Sequence, residues 1–133
     1  MKTIFKIATI ALAATAAISS HADTYPVAGK TITIIVPFTA GGPTDKVARD
    51  LAESMRKQLG NATIVIDNAD VAGSTIGIGK AARAKNDGYT LLLTHIAMST
   101  IPTLYRKLPF NVLNDFEYAG IINDVPMTLI GRP

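Results

Sequence analysis

The chain contains no cysteine, which excludes a disulfide framework and any thiolate metal centre. Histidine is nearly absent. Of the two, His21 lies in the opening apolar segment and His95 stands alone after it, so no histidine pair exists to hold a metal. Clustered lysine and arginine are missing as well. The whole-chain pI of about 9.3 is largely set by the front of the chain. Setting aside residues 1–22, with Lys2 and Lys6, leaves 11 basic residues against 10 acidic ones, and a near-neutral chain with no basic face gives nucleic acid nothing to bind. After the opening segment there is no second long apolar run, so the rest is expected to be soluble.

What is present is compact in kind. The 133 residues allow one domain at most, and 48% apolar content with alternating strand and helix patterns argues against disorder. The opening "MKTIFKIATIALAATAAISSHA" carries Lys2 and Lys6, an apolar stretch over 7–18, and small residues at Ser20 and Ala22. It reads as an export signal cleaved after Ala22, too short for a spanning helix, and places the mature chain, 23–133, in the periplasm.

The mature segment opens with "KTITIIVPF", whose run Ile32, Ile34, Ile35, Val36 predicts a strand covered on both faces. Pro37 ends it. Gly42 is the expected N-cap of the next helix, with Pro43 as its first residue and Asp45 in its first turn. Val47, Ala48, Leu51, Ala52, Met55 and Leu59 recur at helical spacing up to Gly60. "ATIVID" (62–67) is a second strand, "IGIGKAARA" a second helix, and Asn86-Asp87-Gly88 a turn before a third strand, "YTLLLT" (89–94). A short helix and two further strands, "EYAGII" (117–122) and "PMTLIG" (126–131), are expected after it. Strand, helix, strand, helix, strand with short links predicts an α/β fold with a parallel sheet and right-handed crossovers. Its ligand edge lies beyond the strand carboxyl ends, at 37–45, 68–75 and 94–100.

"PFTAGGPTD" (37–45) puts two glycines between a strand and a helix start, which is either a plain strand-to-helix turn or a nest where backbone N–H groups gather for an anion at the partly positive helix end. Asp45 is expected to cap amides there rather than to meet an anion. No Gly-Lys-Ser or Gly-Lys-Thr follows Gly42, which excludes a phosphate loop. "GIGKAA" (77–82) fits a dinucleotide fingerprint only formally, being far from its strand and lacking the acidic partner; Gly77 and Gly79 are expected instead to let the helix pack tightly on the sheet. Asn61-Ala62-Thr63 is a chance glycosylation pattern. Ser99 fits either a ligand contact or the N-cap of the short helix. No paired carboxylates, nucleophile with base, or metal cluster is apparent.

"ITIIVPFTAGGPTDKVARDLAESMRKQLG", "VIDNADVAGSTIGIGKAARAKNDGYTLLL" and "LYRKLPFNVLNDFEYAGII" together resemble the tripartite tricarboxylate transporter substrate-binding proteins, the Bug family, from about Tyr25 to Pro133. The resemblance implies domain 1 of a type II periplasmic binding fold. It implies a receptor, not an enzyme, that uses no cofactor or metal, holds a small carboxylate, and delivers it to membrane permease subunits. It implies a ligand site at Phe38, Thr39, Ala40, Gly41, Gly42, Thr44 and Asp45, at Ala72, Gly73, Ser74 and Thr75, and at Thr94, His95 and Ser99. The chain departs from the family's Gly-Ala-Gly-Gly with Val71-Ala72-Gly73-Ser74, where Ser74 could add a hydroxyl donor. It also stops where a second domain and a returning strand would follow, so 23–133 reads as a partial domain 1. Two alternatives stand beside this reading: a truncated gene product without independent binding, and an exported α/β enzyme.

Overall fold

The computed structural model describes residues 24–70, 73–125 and 131. The expected export signal and its cleavage point, Ala72, and nearly all of the strand expected at 126–131 lie outside the described residues.

Three parallel strands form the sheet: β1 (Ile32–Val36), β2 (Ile64–Asn68) and β3 (Thr90–Leu92), in the order β2-β1-β3. Ile34 pairs with Ile66 on one side and Leu91 on the other. The central place of β1 explains its composition. Because side chains alternate between faces, Ile32, Ile34 and Val36 enter one core while Ile35, equally buried, is directed to the other face. Burying each of these side chains contributes about 1.5–3 kcal/mol.

Helix α1 (Pro43–Gln58) covers the first face. Its Ala48 and Ala52 are buried against β1 and β2, with Val47, Leu51, Met55 and Leu59 around them. Gly42 is its N-cap and Pro43 its first residue, and the chain turns out of it at Leu59 and Gly60. Helices α2 (Thr75–Ala82) and α3 (Ala97–Leu104) serve the second core, where Ile78, Met98, Ile101 and Phe110 meet. A Cβ on Gly77 would stand 2.8 Å from both Ala69 O and Pro37 Cβ. Only glycine lets α2 lie this close to the ends of β1 and β2. Gly79 instead faces the loop at Pro109 and Phe110, so its tight packing is against that loop and not the sheet.

Two expectations need correction. Strand β3 has three residues instead of six, and 117–122 forms no strand. Residues 116–125 have no regular secondary structure, and Ile121 is 92% exposed. Strand propensity is realised only where a ladder partner and a face to bury are both available, and no ladder partner reaches this segment among the described residues.

Candidate functional site

All three connections after the strands come together at the carboxyl edge of the sheet. In the first, residues 37–42, Gly41 turns with φ 81° and Gly42 N–H donates to Thr39 O at 3.2 Å. Gly41 N–H donates to Asp45 Oδ2 at 2.8 Å. The same oxygen accepts from Arg49 Nε at 2.8 Å, and Asp45 Oδ1 accepts from Asn68 Nδ2 at 3.0 Å. The Arg49 guanidinium, then the Gly41 amide and Asn68, hold the Asp45 carboxyl far below the usual carboxylate range.

The anion nest expected at 40–44 is thus largely filled by the chain itself. Gly41 is bonded to Asp45, Gly42 to Thr39, and Pro43 has no N–H, which restricts donation from this stretch to Ala40 and Thr44. Asp45, 2% exposed, lies behind the loop and caps a loop amide.

The second connection is fastened to the first. Asn68 Nδ2 also donates to Phe38 O at 3.2 Å, Ala69 N–H to Val36 O at 2.9 Å, and the Thr39 hydroxyl to the Asp70 carboxylate. Buried Ser74 donates its hydroxyl to Pro37 O at 2.8 Å. The sequence suggested Ser74 as a donor to ligand, but its hydrogen is spent on holding the two loops together. Gly73 and Ser74 both occupy the left-handed region, φ 60° and 74°, immediately before α2. Thr75, half-buried, is the first residue of that helix.

In the third connection His95 stacks on Phe38, ring centroids 4.1 Å apart and planes 15° from parallel, so loops one and three share an aromatic contact. Thr94 Oγ1 is buried with no hydrogen-bond partner among the described residues. Ser99 is not a cap: α3 begins at Ala97 after Ile96, and Ser99 is an exposed residue inside its first turn. Two participants were not foreseen. Asn68 fixes the Phe38 carbonyl and Asp45 from the end of β2. Tyr105, where α3 ends, brings its hydroxyl against Gly73, so that a Cβ there would stand 2.3 Å from Oη. The asparagine closing a strand in front of a glycine loop was a readable signal; nothing local connects residue 105 with residue 73.

The family described as tripartite tricarboxylate transporter family receptor matches residues 47–133. A UPF0065 protein from the TAR-I ttuE-ttuC' intergenic region of Agrobacterium vitis is 44% identical over 110 residues, 83% of this chain and 31% of the relative. Protein BugT of Bordetella pertussis is 39% identical over 124 residues, 90% of this chain and 37% of its own length. The structure of the periplasmic binding protein BugD superposes with a TM-score of 0.62 at 50% identity, over 65% of this chain and 29% of that one. A structure of a periplasmic transporter gives the same TM-score at 40% identity, over 67% and 29%. The chain therefore spans about a third of the length of the curated relatives it matches.

Proposed function

Since the chain belongs to the family of tripartite tricarboxylate transporter receptors, we propose that it is receptor sequence for a small carboxylate. In this reading it acts in the periplasm and hands its solute to membrane permease subunits. The observation that carries the proposal is the joining of two glycine turns at one sheet edge, each opening a helix, through the Ser74–Pro37 bond. Helix starts offer unpaired N–H groups and partial positive charge to an anion. Because Asp45 already occupies the Gly41 amide, the carboxylate falls mainly to the turn before α2, to Gly73, Ser74 and Thr75. Ala40 and Thr44 contribute from the first loop, and Thr94 and His95 from the third. The Thr94 hydroxyl, buried and without a partner among the described residues, supports this placement, since a buried hydroxyl without a partner is costly and a ligand oxygen would satisfy it. The reading of 1–22 as an export signal supports the periplasmic assignment.

Amide NMR of the isotope-labelled chain titrated with citrate tests the proposal. Saturable shifts confined to Thr44, 73–75 and 94–95 are expected. Uniform small shifts over the surface, or none at millimolar citrate, would overturn it.

A further inference from the structure

We propose that the lead-in segment 25–30 is a latch that seats β3 on β1, so that latch and strand open and close as one unit, apart from the β1–β2 ladder. It lies at the amino end of the strands, opposite the candidate site, and acts without ligand. Strand β3 is three residues long, pairs with β1 at Thr33, Ile34 and Ile35, and has no strand on its other side among the described residues. An edge strand this short, held by one ladder, opens at low free energy unless something outside the ladder fastens it.

The fastening comes from the residues before β1 and converges on 87–89. The Tyr25 hydroxyl donates to Gly88 O at 2.8 Å, and Val27 N–H donates to the Tyr89 hydroxyl at 2.7 Å. Lys30 Nζ is bonded to Asp87 Oδ2 at 3.0 Å and stands 3.7 Å from the centre of the Tyr89 ring, so one ammonium engages a carboxylate and a ring face together. The other Asp87 oxygen accepts from Tyr89 N–H at 3.1 Å. Tyr89 is the pivot. It is 8% exposed, and its carbonyl accepts from Thr33 N–H at 2.8 Å at the amino end of the β1–β3 ladder. With its side chain held by the lead-in and its main chain held by β1, it ties one to the other. The strand then runs into Thr94 and His95, so the latch also sets where the third loop begins.

Strand β1 reports on its two neighbours separately, which supplies the test. Thr33 N–H donates to Tyr89 O and Leu93 N–H to Ile35 O, across the β3 side; Ile32 N–H donates to Thr63 O and Ala69 N–H to Val36 O, across the β2 side. Native-state amide exchange of the parent chain in low denaturant should bring Val27, Thr33 and Leu93 onto one opening free energy, with Ile32 and Ala69 opening less often. Lys30→Met keeps the stem, removes the charge and touches none of these bonds. It is expected to quicken Val27, Thr33 and Leu93 together by about five-fold and to leave Ile32 and Ala69 unchanged. Tyr89→Phe, which deletes the acceptor of Val27 and keeps the ring, should quicken the same three by about three- to ten-fold. Quickening limited to Val27 would show a lead-in that frays alone, and equal quickening at all five amides would show a loss of global stability; either result overturns the latch. Should a variant fail to fold, the parent chain decides, since Val27 exchanging well ahead of Thr33 and Leu93 would overturn it as well.

Discussion

Loops one and two start from the same recipe, a strand running into a glycine turn and then a helix, yet they end in opposite states. Loop one supplies its own anion: Asp45 from the first turn of α1 reaches back to Gly41 and is held by Arg49 and Asn68. In loop two the hydroxyl of Ser74 is drawn away from the helix start, and the space over Gly73 is met by Tyr105. The contrast teaches that what fills a glycine turn follows from what the neighbouring side chains do, and glycine spacing alone does not reveal it. Loop one is built to be rigid.

The largest expected effect comes from breaking the loop-one side with Asp45→Asn. An amide has one oxygen and one NH2 group, and every direction around the carboxylate is now filled by a donor, from Gly41, Arg49 or Asn68. Either orientation of the new amide sets donor against donor, and a buried mismatch of this kind is strongly destabilising. Thermal unfolding should show a clear drop in midpoint. The pH dependence sharpens the same point. The Asp45 pKa is lowered by folding, so its contribution is complete above the ordinary carboxylate range, near pH 4, and is lost as pH falls through the lower folded value. Denaturant titrations of the parent chain should lose stability on acidification from about pH 4 downward, and Asp45→Asn should flatten part of that limb. An unchanged acid limb would mean that the network does not hold loop one.

Next in size is Gly77→Ala, which pries the two loops apart from below. The added methyl would stand 2.8 Å from Pro37 Cβ in loop one and 2.8 Å from Ala69 O in loop two. One of these neighbours is main chain, so relief requires a shift of the α2 start. A loss of about 1–3 kcal/mol is expected in chemical denaturation. Amide shifts should concentrate at 37–39 and 69–75; a silent substitution would show that α2 does not clamp the pair.

How much of this was readable differs between the loops as well. The β1 run, the Gly42–Pro43 helix entry, and the capping role of Asp45 could all be read because each depends on residues within a few positions. The filling of the Gly41 amide was readable in principle, since Asp45 lies four positions on, but the help from Asn68 and Arg49 depends on β2 being seated beside β1. Tyr105 was out of reach, since its partner is 32 residues distant and the two meet only once α3 has been laid beside α2. The strand expected at 117–122 failed for the complementary reason. Its residues suit a strand, but a ladder is a property of two segments, and local composition specifies only one of them.

The smallest effects concern Ser74, and they separate two terms that its position combines. Serine here sits at φ 74°, a conformation that costs a residue with a Cβ about 1–2 kcal/mol relative to glycine. Its hydroxyl recovers about 0.5–1.5 kcal/mol by bonding to the Pro37 carbonyl. Ser74→Ala keeps the backbone cost and gives up the bond, so a loss of about 1 kcal/mol is expected. Ser74→Gly gives up the same bond but relieves the backbone, and the two terms nearly cancel. The two variants should therefore differ by about 1 kcal/mol in denaturant unfolding, with glycine the more stable. They should nevertheless share one consequence, because both remove the Ser74–Pro37 tie between loop two and loop one. Amide exchange at 73–75 should quicken in each to a similar degree while exchange at Gly41, held by Asp45, stays as it is. If Ala and Gly proved equally stable, the left-handed turn would carry no strain. If Gly41 quickened with them, the two loops would be one mechanical unit, and the contrast between a loop held by its own carboxylate and one held by Ser74 would not hold.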